Sequence, residues 1–542
     1  MSAANHPDPT NLLERVERLE AELALAIAEI KRKDRIIEGL RHRLFGASSE
    51  KLDPAQLQLM FDEVVLGKPA PSPDQSDGVP SAPEGEKPNV AKNRRTKADR
   101  FPKNLKVVIE KVVTPDKVAA NPENFELLSE RYHDELDVIK AEMFWRRTII
   151  QTFIDKTDKA LPPVSAPAPL PSIPGTLCAP ALAAQIIVDK FVDHLPHYRQ
   201  SNRFRRRDDA DIGRQTLNAW THATAGHLTP IDRAIKAEVL QASELQVDET
   251  PIEYLKPGHG STKQGYLWIY NDPQGGTCYY DWHAGRGHDC LLDFLGYDEE
   301  TGTIGYAGTI QCDGFSAYSA LAARFMTIRL AGCLAHIRRK FVEARDQAPE
   351  ITLRILLLIQ RIYVIEKQTR QTGAPPACRE LIRRCRSRPI ANELQRLIVG
   401  ARTSQLPHGP LGEALTYAIN QWNKFIVCLE NGRLEVDNNL AENKVRPAKV
   451  GAKNFLFFGS LEAGVNNALL YTLMANCKIQ GLDPEMYLTE VIKRLPHNAT
   501  AEQAAELTPA RFAAAPAAGE EFRTLTIMGF KTPQQHIRKL AA

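Results

Sequence analysis

Paired cysteines are what the sequence most clearly lacks. Nine cysteines are spread singly over 542 residues, none at C-x-x-C spacing. That excludes a disulfide framework and a four-cysteine zinc ribbon, and it fits buried thiols in a reducing compartment. Long apolar runs are missing too: RILLLIQRIYVI is interrupted by polar residues, and MSAANHPDPT has none of the features of a secretory leader. A cytoplasmic protein with no membrane partner is expected. Charge of one sign is also scarce. With 69 Lys and Arg against 66 Asp and Glu, the formal net charge is +3, so any contact with nucleic acid has to rest on local basic patches and not on a global field. The length implies several domains and more than one core.

Near the N-terminus, Leu12, Val16, Leu19, Leu23, Ala26, Ile30, Lys33, Ile37, Leu40 and Leu44 recur in alternating steps of four and three, the seam of a coiled coil of about five heptads. Residues 10–46 are expected to pair two copies of the chain, or else to fold back on the protein as a lone amphipathic helix. Residues 53–100 begin as a Pro-, Ser- and acid-rich linker too poor in apolar residues to offset the entropy of ordering, and they end in a basic run. There Lys92, Arg94, Arg95, Lys97, Arg100, Lys103 and Lys106 face only Asp99. Such a run suits salt-sensitive, sequence-blind binding of phosphates, or a solvated tail. Within residues 101–160, alternation in LDVIKAEMFWRRTIIQTFI predicts strands.

A Pro-rich connector at 161–175 leads into a helical region, residues 176–238, in which Leu182, Ile186, Ile187 and Val188 supply an apolar face. A turn at Gly213 followed by Arg214, Gln215, Thr216 and Asn218 has the pattern of a helix-turn-helix, with polar side chains at a helix start that suit base edges in a major groove. Arg199, Arg203, Arg205, Arg206 and Arg207 suit the DNA backbone. Helical bundles show the same spacing, and Leu217 and Trp220 read as core. Residues 347–430 read as helices throughout, with Trp422 beside Ile419 and Phe425 fitting core packing in preference to base stacking.

Between these helical regions the pattern changes to strands. Alternation in SELQVDETPIEYL, GYLWIYN (265–271), TCYYDWH (277–283), GTIQCDG and MTIRLAGC (326–333), with helical segments interspersed, gives three strands, a helix, a strand, a helix, a strand and a long helix. That order predicts a mixed sheet with helices packed on it. Asp248 and Asp313 each read as ending a strand, and Glu442 lies downstream among Asn, Lys and Arg. Two Asp and one Glu converging on a sheet edge suit a pair of hard divalent ions, Mg²⁺ or Mn²⁺, about 3.5–4 Å apart, which activate an attacking oxygen on a phosphodiester and stabilise the leaving one. With 66 acidic residues in the chain, spacing alone does not single these out.

Asn438 and Asn439 are placed to cap the helix bearing Glu442. Lys444, Arg446, Lys449 and Lys453 supply cations beside the acid, and Phe455 to Phe458 reads as buried support. In CLAHIRRKF, Cys333 and His336 have C-x-x-H spacing but no second pair nearby, which disfavours a metal role. His336, Arg338, Arg339 and Lys340 suit either a DNA contact or an exposed basic helix face.

VDETPIEYL, QCDGFSAYSAL, CLAHIRRKF, EVDNNLAENKVRPAKVGAKNFLFFGS and KIQGLDPEMYL, in this order, together with HRLFGASSEKL near the N-terminus, resemble the large transposase of the insertion-sequence sixty-six (IS66) family over most of residues 35–490. The resemblance implies an α/β fold: a ribonuclease-H-like mixed-sheet core with an Asp-Asp-Glu triad, which falls on Asp248, Asp313 and Glu442. That core would occupy residues 239–346 and 431–490, interrupted by an all-α insertion at 347–430, preceded by the coiled coil and the helical DNA-binding region, and followed by a tail, 491–542, in which no motif is readable. The family also implies a Cys-rich zinc module after LKVVIEKVV. Here the sequence departs, because Asn121 to Ala160 contains no Cys and His133 as its single His. A degenerate, metal-free version without structural zinc is expected in residues 101–160.

The function implied is DNA transposition. The partners would be the element's terminal inverted repeats, target DNA, a second copy of the chain and small accessory proteins of the same element, in a nucleoid-associated cytoplasmic setting. Two alternatives use the same residues: a DNA-binding coiled-coil regulator with an inactive core, and a ribonuclease-H-like nuclease that does not transfer strands.

Overall fold

A computed structural model describes residues 170–515, except 257 and 259, with scattered positions between 143 and 165. The expectations for residues 10–46, 53–100 and most of 101–160, including Arg94, Arg95 and the absence of structural zinc, lie outside the described residues. The chain divides into two compact units, Met1–Ala70 with Thr148–Ala542, and Pro71–Arg147. In the second unit only residues 143–146 are described, and they are exposed.

In the first unit a two-residue strand β1 (Thr152–Phe153) pairs antiparallel with β2 (Val164–Ser165). Three helices follow: α1 (Pro180–Phe191), α2 (His197–Asp208) and α3 (Arg214–Val239). The α2–α3 turn pivots on Asp209, whose backbone is left-handed with φ 51°. Leu217 is fully buried in the core and Trp220 packs against it, as their apolar character requires.

The sheet has the strand sequence read from the alternation. β3 (Glu244–Leu255), β4 (Thr262–Asn271) and β5 (Cys278–His283) form an antiparallel meander; helix α4 (His288–Phe294) leads to β6 (Gly308–Gln311), and α5 (Ser316–Arg324) to β7 (Ile328–Ala331). The order is β5-β4-β3-β6-β7, with β6 parallel to both β3 and β7. This mixed α/β arrangement is compatible with a ribonuclease-H-like core.

Both faces of the sheet are covered. On one, Tyr279 donates to Asp232 of α3 at 2.7 Å, Tyr270 stacks on Phe294 of α4, and Trp268 meets Tyr318 of α5 edge-on. The other face lies under α11 (Asn439–Phe455) and α12 (Leu461–Gln480). The outer edge of β5 would expose unpaired backbone groups, but α12 supplies their partners. The Cys278 and Tyr280 N–H groups donate to Asn476 Oδ1 and Thr472 Oγ1 at 3.0 and 2.9 Å, and the Asn476 amide donates back to the Cys278 carbonyl at 2.7 Å.

Between β7 and α11 the chain is helical: α6 (Leu334–Ala344), α7 (Pro349–Gln371), α8 (Pro376–Ile382), a π-turn at Arg383–Ser387, α9 (Arg388–Thr403) and α10 (Pro410–Glu430). These helices have a core of their own, built from Ile337, Phe341, Ile359, Leu394, Leu415, Trp422 and Phe425 among others. Trp422 is therefore core, as its neighbours suggest. Arg383 on the π-turn is almost fully buried and forks onto Glu366 through two 2.8 Å bonds, and its Nη1 also donates to the carbonyls of Cys428 and Asn431.

Beyond α11, β8 (Phe457–Phe458) adds in parallel to the far half of β3. α12 ends at left-handed Gly481, and Asp483 then caps α13 (Pro484–Arg494) by accepting from Met486 N–H at 2.9 Å. In the segment where no motif is readable, Thr500 and Gln503 form a capping box that starts α14 (Ala501–Glu506), followed by α15 (Pro509–Ala514). Thr508 just before α15 donates to Glu238 of α3 at 2.8 Å.

Three local expectations need correction. Asp248 does not end its strand: β4 pairs with β3 from Gln246 to Leu255, so the strand continues past the acid. Asn438 occupies the N-cap position of α11 without a side-chain cap bond; Asp437 Oδ1 accepts the Asn439 N–H instead, at 3.2 Å. Of Phe455 to Phe458 only Phe458 is buried, because Leu456 takes φ +68° and turns out to solvent.

The closest packing over the sheet gives a stability test. A Cβ on Gly464 of α12 would stand 2.1 Å from Trp282 Nε1. Gly464→Ala is expected to lower stability by about 1–3 kcal/mol through overpacking, read as a lower midpoint in chemical denaturation.

Candidate active site

Asp248 lies where one edge of β3 is interrupted. β6 pairs with β3 at Glu244–Gln246 and β8 at Glu253–Tyr254, both on the side away from β4. The intervening stretch, 247–252, pairs only with β4. Pro251, which has no N–H to offer, falls inside that window.

Asp313 follows β6 by two residues. Its Oδ1 accepts the Phe315 N–H at 2.9 Å, closing a small Asx turn. Gly314 at the centre of that turn is packed under α10, where a Cβ would meet Tyr417 at 2.8 Å. Glu442 sits in the first turn of α11 and is half-buried. Its Oε1 is 3.7 Å from His336 Nε2 and its Oε2 is 3.7 Å from Arg339 Nη2, both on α6.

The three acids lie within electrostatic reach of one another, though among the described residues their ligand atoms do not form a group within 4.8 Å. Burial pushes the Asp248 carboxyl up to about 7, and the charges of Glu249, Glu442 and Asp313 push in the same direction. Among the described residues, three metal-ligating side chains come within 4.8 Å of one another at Cys333, His336 and Glu442. The C-x-x-H pair thus meets a third group, one that lies far downstream in sequence. Burial raises the Cys333 thiol far above its usual range, which keeps it protonated and leaves it a poor ligand. Glu442 Oε1 is buried with no hydrogen-bond partner among the described residues, as are both amide atoms of Asn438.

Several supporting residues escaped sequence reasoning. Gln246 Nε2 donates to Gln311 Oε1 at 2.8 Å and to the Asp437 carbonyl at 3.0 Å, and Gln246 Oε1 accepts from Asn271 at 3.2 Å. Gln311 Nε2 donates to the carbonyls of Glu435 and Gly332 at 2.8 and 3.1 Å. The segment leading into Glu442 is thereby tied to the ends of β3 and β6. On the opposite face, Glu249 accepts from Arg286 Nε at 2.7 Å and from the Tyr318 hydroxyl at 2.9 Å, while Arg286 lies 4.0 Å from the centre of the Phe315 ring. The available signal was a polar residue at every second position of two buried strands.

The proposed DNA contacts separate into groups. His336 and Arg339 meet Glu442, and Arg338 shares their helix, as does Lys340, which pairs with Glu343 at 3.1 Å. Arg446, Lys449 and Lys453 are exposed and recur with Glu442 at helical spacing, so one stripe of α11 runs from the acid into cations; Lys444 is half-buried off this stripe. Arg205 and Arg206 are exposed on α2, and Arg214, Gln215 and Thr216 are exposed at the start of α3. Arg203 is engaged with Asp189, Arg205 with Asp211 and Arg207 with Asp208, so this cluster is less free for phosphate than its sequence suggests.

A family profile described as Transposase IS66 family matches residues 175–466, more than half of the chain. The chain belongs to the IS66 transposase family. The IS66 C-terminal element matches residues 472–510, and a region described as transposase C of IS166 homeodomain matches residues 34–109. Similar proteins include the uncharacterized protein y4qI of Sinorhizobium fredii, 30% identical over 530 residues and covering 94% of each chain. Another is y4jD of the same organism, 28% identical over 501 residues, which cover 90% of this chain and 94% of the relative. Membership of the IS66 family supports a transposase function with DNA as partner, and among the described residues no helix is long and apolar enough to cross a membrane.

The Asp248 environment predicts a pH effect. Its carboxyl is raised from 3.8 to about 7, so the folded state holds a proton that the unfolded chain releases, and stability falls as pH rises between those values. In metal-free buffer Asp248→Asn is expected to raise thermal stability at pH 8, by an amount on the order of a few kcal/mol. The gain should shrink toward pH 4. A pH-independent effect in thermal melts would contradict this.

Proposed function

We propose that the chain is a DNA transposase that cleaves element ends and joins them to target DNA, using Asp248, Asp313 and Glu442 as an Asp-Asp-Glu site that holds two Mg²⁺ or Mn²⁺ ions. The observation that supports this reading is the placement of Asp248 at the interrupted edge of β3, with its carboxyl raised by burial first and then by the charges of Glu249, Glu442 and Asp313. Such clustering is unfavourable unless a cation offsets it. The donor set is compatible: it consists of carboxylate oxygens, as hard divalent ions prefer, and Glu442 presents a buried oxygen with no hydrogen-bond partner among the described residues. When bound, such ions activate an attacking oxygen and stabilise a leaving one.

The chain's own residues supply the rest. In the first step water attacks a phosphodiester at the element end, breaking the bond to the 3′ oxygen and leaving a 3′-hydroxyl. In the second step that hydroxyl attacks a target phosphate, so one phosphodiester is exchanged for another and the displaced 3′ oxygen takes up the proton. Asp248 and Asp313 hold the metal-binding position from the sheet, and Glu442 completes it from α11. Arg446, Lys453 and Lys444 bind the phosphates along the DNA approaching Glu442, with His336, Arg338 and Arg339 bordering the acid. Arg205, Arg206, Arg214 and Gln215 engage the element end, and Arg94 and Arg95 add sequence-blind affinity. The helices at 347–430 form an insertion into a ribonuclease-H-like core, and residues 10–46 pair two protomers so that both ends are held together, with accessory proteins of the element assisting.

Strand transfer by purified protein, with DNA ends taken from the flanks of the gene, tests the reading. Wild type is expected to give Mg²⁺-dependent joined products, and Glu442→Gln to lose at least about 10²–10³-fold in rate while still binding the ends. Cleavage without joining would indicate a nuclease. Binding without either reaction, even with the neighbouring gene products added, would indicate a regulator. Separately, Arg446→Ala and Lys453→Ala should each weaken binding of all DNA sequences alike and reduce the salt slope by about one, measured by titration at several salt concentrations.

A further inference from the structure

A second cluster of ligand-type side chains lies on the other face of the sheet. Asp281 and His283 stand two residues apart on β5 and so share a face. Asp281 is aligned across β4 with Glu249 through Trp268, so this is the face opposite Asp248. His283 Nε2 is 2.9 Å from Asp281 Oδ2. Helix α4 then returns Asp293 to the same point, and the ligand atoms of the three side chains all lie within 4.8 Å of one another.

An ordinary ion pair accounts for one carboxylate on the imidazole and leaves the second unexplained. Asp293 is exposed and brings a second carboxylate to the same imidazole. Cys290 lies near the His283 ring, one turn before Asp293 on α4. The Cys290 sulfur itself is turned to the Gly285 carbonyl at 3.4 Å.

We propose that Asp281, His283 and Asp293 form a binding site for a divalent transition-metal ion of the zinc class, separate from the Asp248 site. One imidazole nitrogen with two carboxylate oxygens suits Zn²⁺, Co²⁺ or Mn²⁺ better than Mg²⁺, which keeps to oxygen ligands, and three protein ligands leave room for water. The ion joins the last residues of β5 to α4 across the short link 284–287. That link carries Arg286, the partner of Glu249 beside Asp248. The ion is thus placed to hold the sheet face behind the acids.

The test uses the full chain carrying Asp248→Asn, which disables the other site, so that failure here is distinct from failure of the transposase reading. After stripping and titration with Zn²⁺, this protein should retain about one equivalent through dialysis and melt at a higher temperature. Adding Asp293→Asn, an exposed change that leaves the core intact, or His283→Gln, should weaken zinc binding by at least about tenfold. Substituted Co²⁺ should show a visible absorption band that His283→Gln abolishes. Zinc retained equally by all variants, or no zinc retained when the three side chains are intact, would overturn the proposal.

Discussion

Two buried glutamines hold the sheet and the segment leading to Glu442 in register. Gln246 and Gln311 stand on parallel strands, bonded to each other, and each donates a further amide hydrogen to a backbone carbonyl of the segment just before Glu442. Both are fully buried, so each of these bonds replaces one that water would otherwise have made, and an unmade one costs about 1–3 kcal/mol. The segment 435–438 cannot slide along the sheet without breaking several at once. The position of Glu442 relative to Asp248 and Asp313 follows from that constraint.

The helices between α6 and α11 press on the same segment from the other side. Arg383, locked by Glu366, binds the carbonyls that close α10, and Arg379 reaches Glu435 at 2.8 Å. A buried arginine fork is a poor source of net stability but a strict geometric device, since removing one partner leaves the other charged and unsolvated. Glu442 is therefore positioned by two bodies with separate hydrophobic cores, one around the sheet and one among the helices. Its surroundings mix an acid with His336 and Arg339, so positive groups border the carboxylate, a suitable polarity for an approaching anionic polymer.

Much of this was legible in the sequence. The order of strands and helices followed from alternation, and the three acids were placed together by resemblance to a family. What failed had common physical causes. In LQV and IQC the alternation located the strands but did not single out the glutamines, which form a network inside because both faces of the sheet are covered. Asp248 seemed to close its strand because the run of apolar residues stops there, yet β4 continues to pair beyond it. Cys333 and His336 lacked a third partner only in sequence. The left-handed turn at Leu456, which sends that side chain outward and keeps Phe458 inward, has no signature in a run of apolar residues.

The sealing of β5 by Thr472 and Asn476 bears on how copies of this protein can associate. An open edge strand invites a strand from another chain to lie alongside it, and side chains from α12 already occupy that position. At the other end of the sheet, α10 lies beside β7, with the Gly332 N–H donating to the Lys424 carbonyl at 2.9 Å. Beside β3 the sheet stays open between β6 and β8, where residues 247–252 pair only with β4. Strand addition from another copy is blocked instead at the β5 edge, where the backbone donors already have partners on α12.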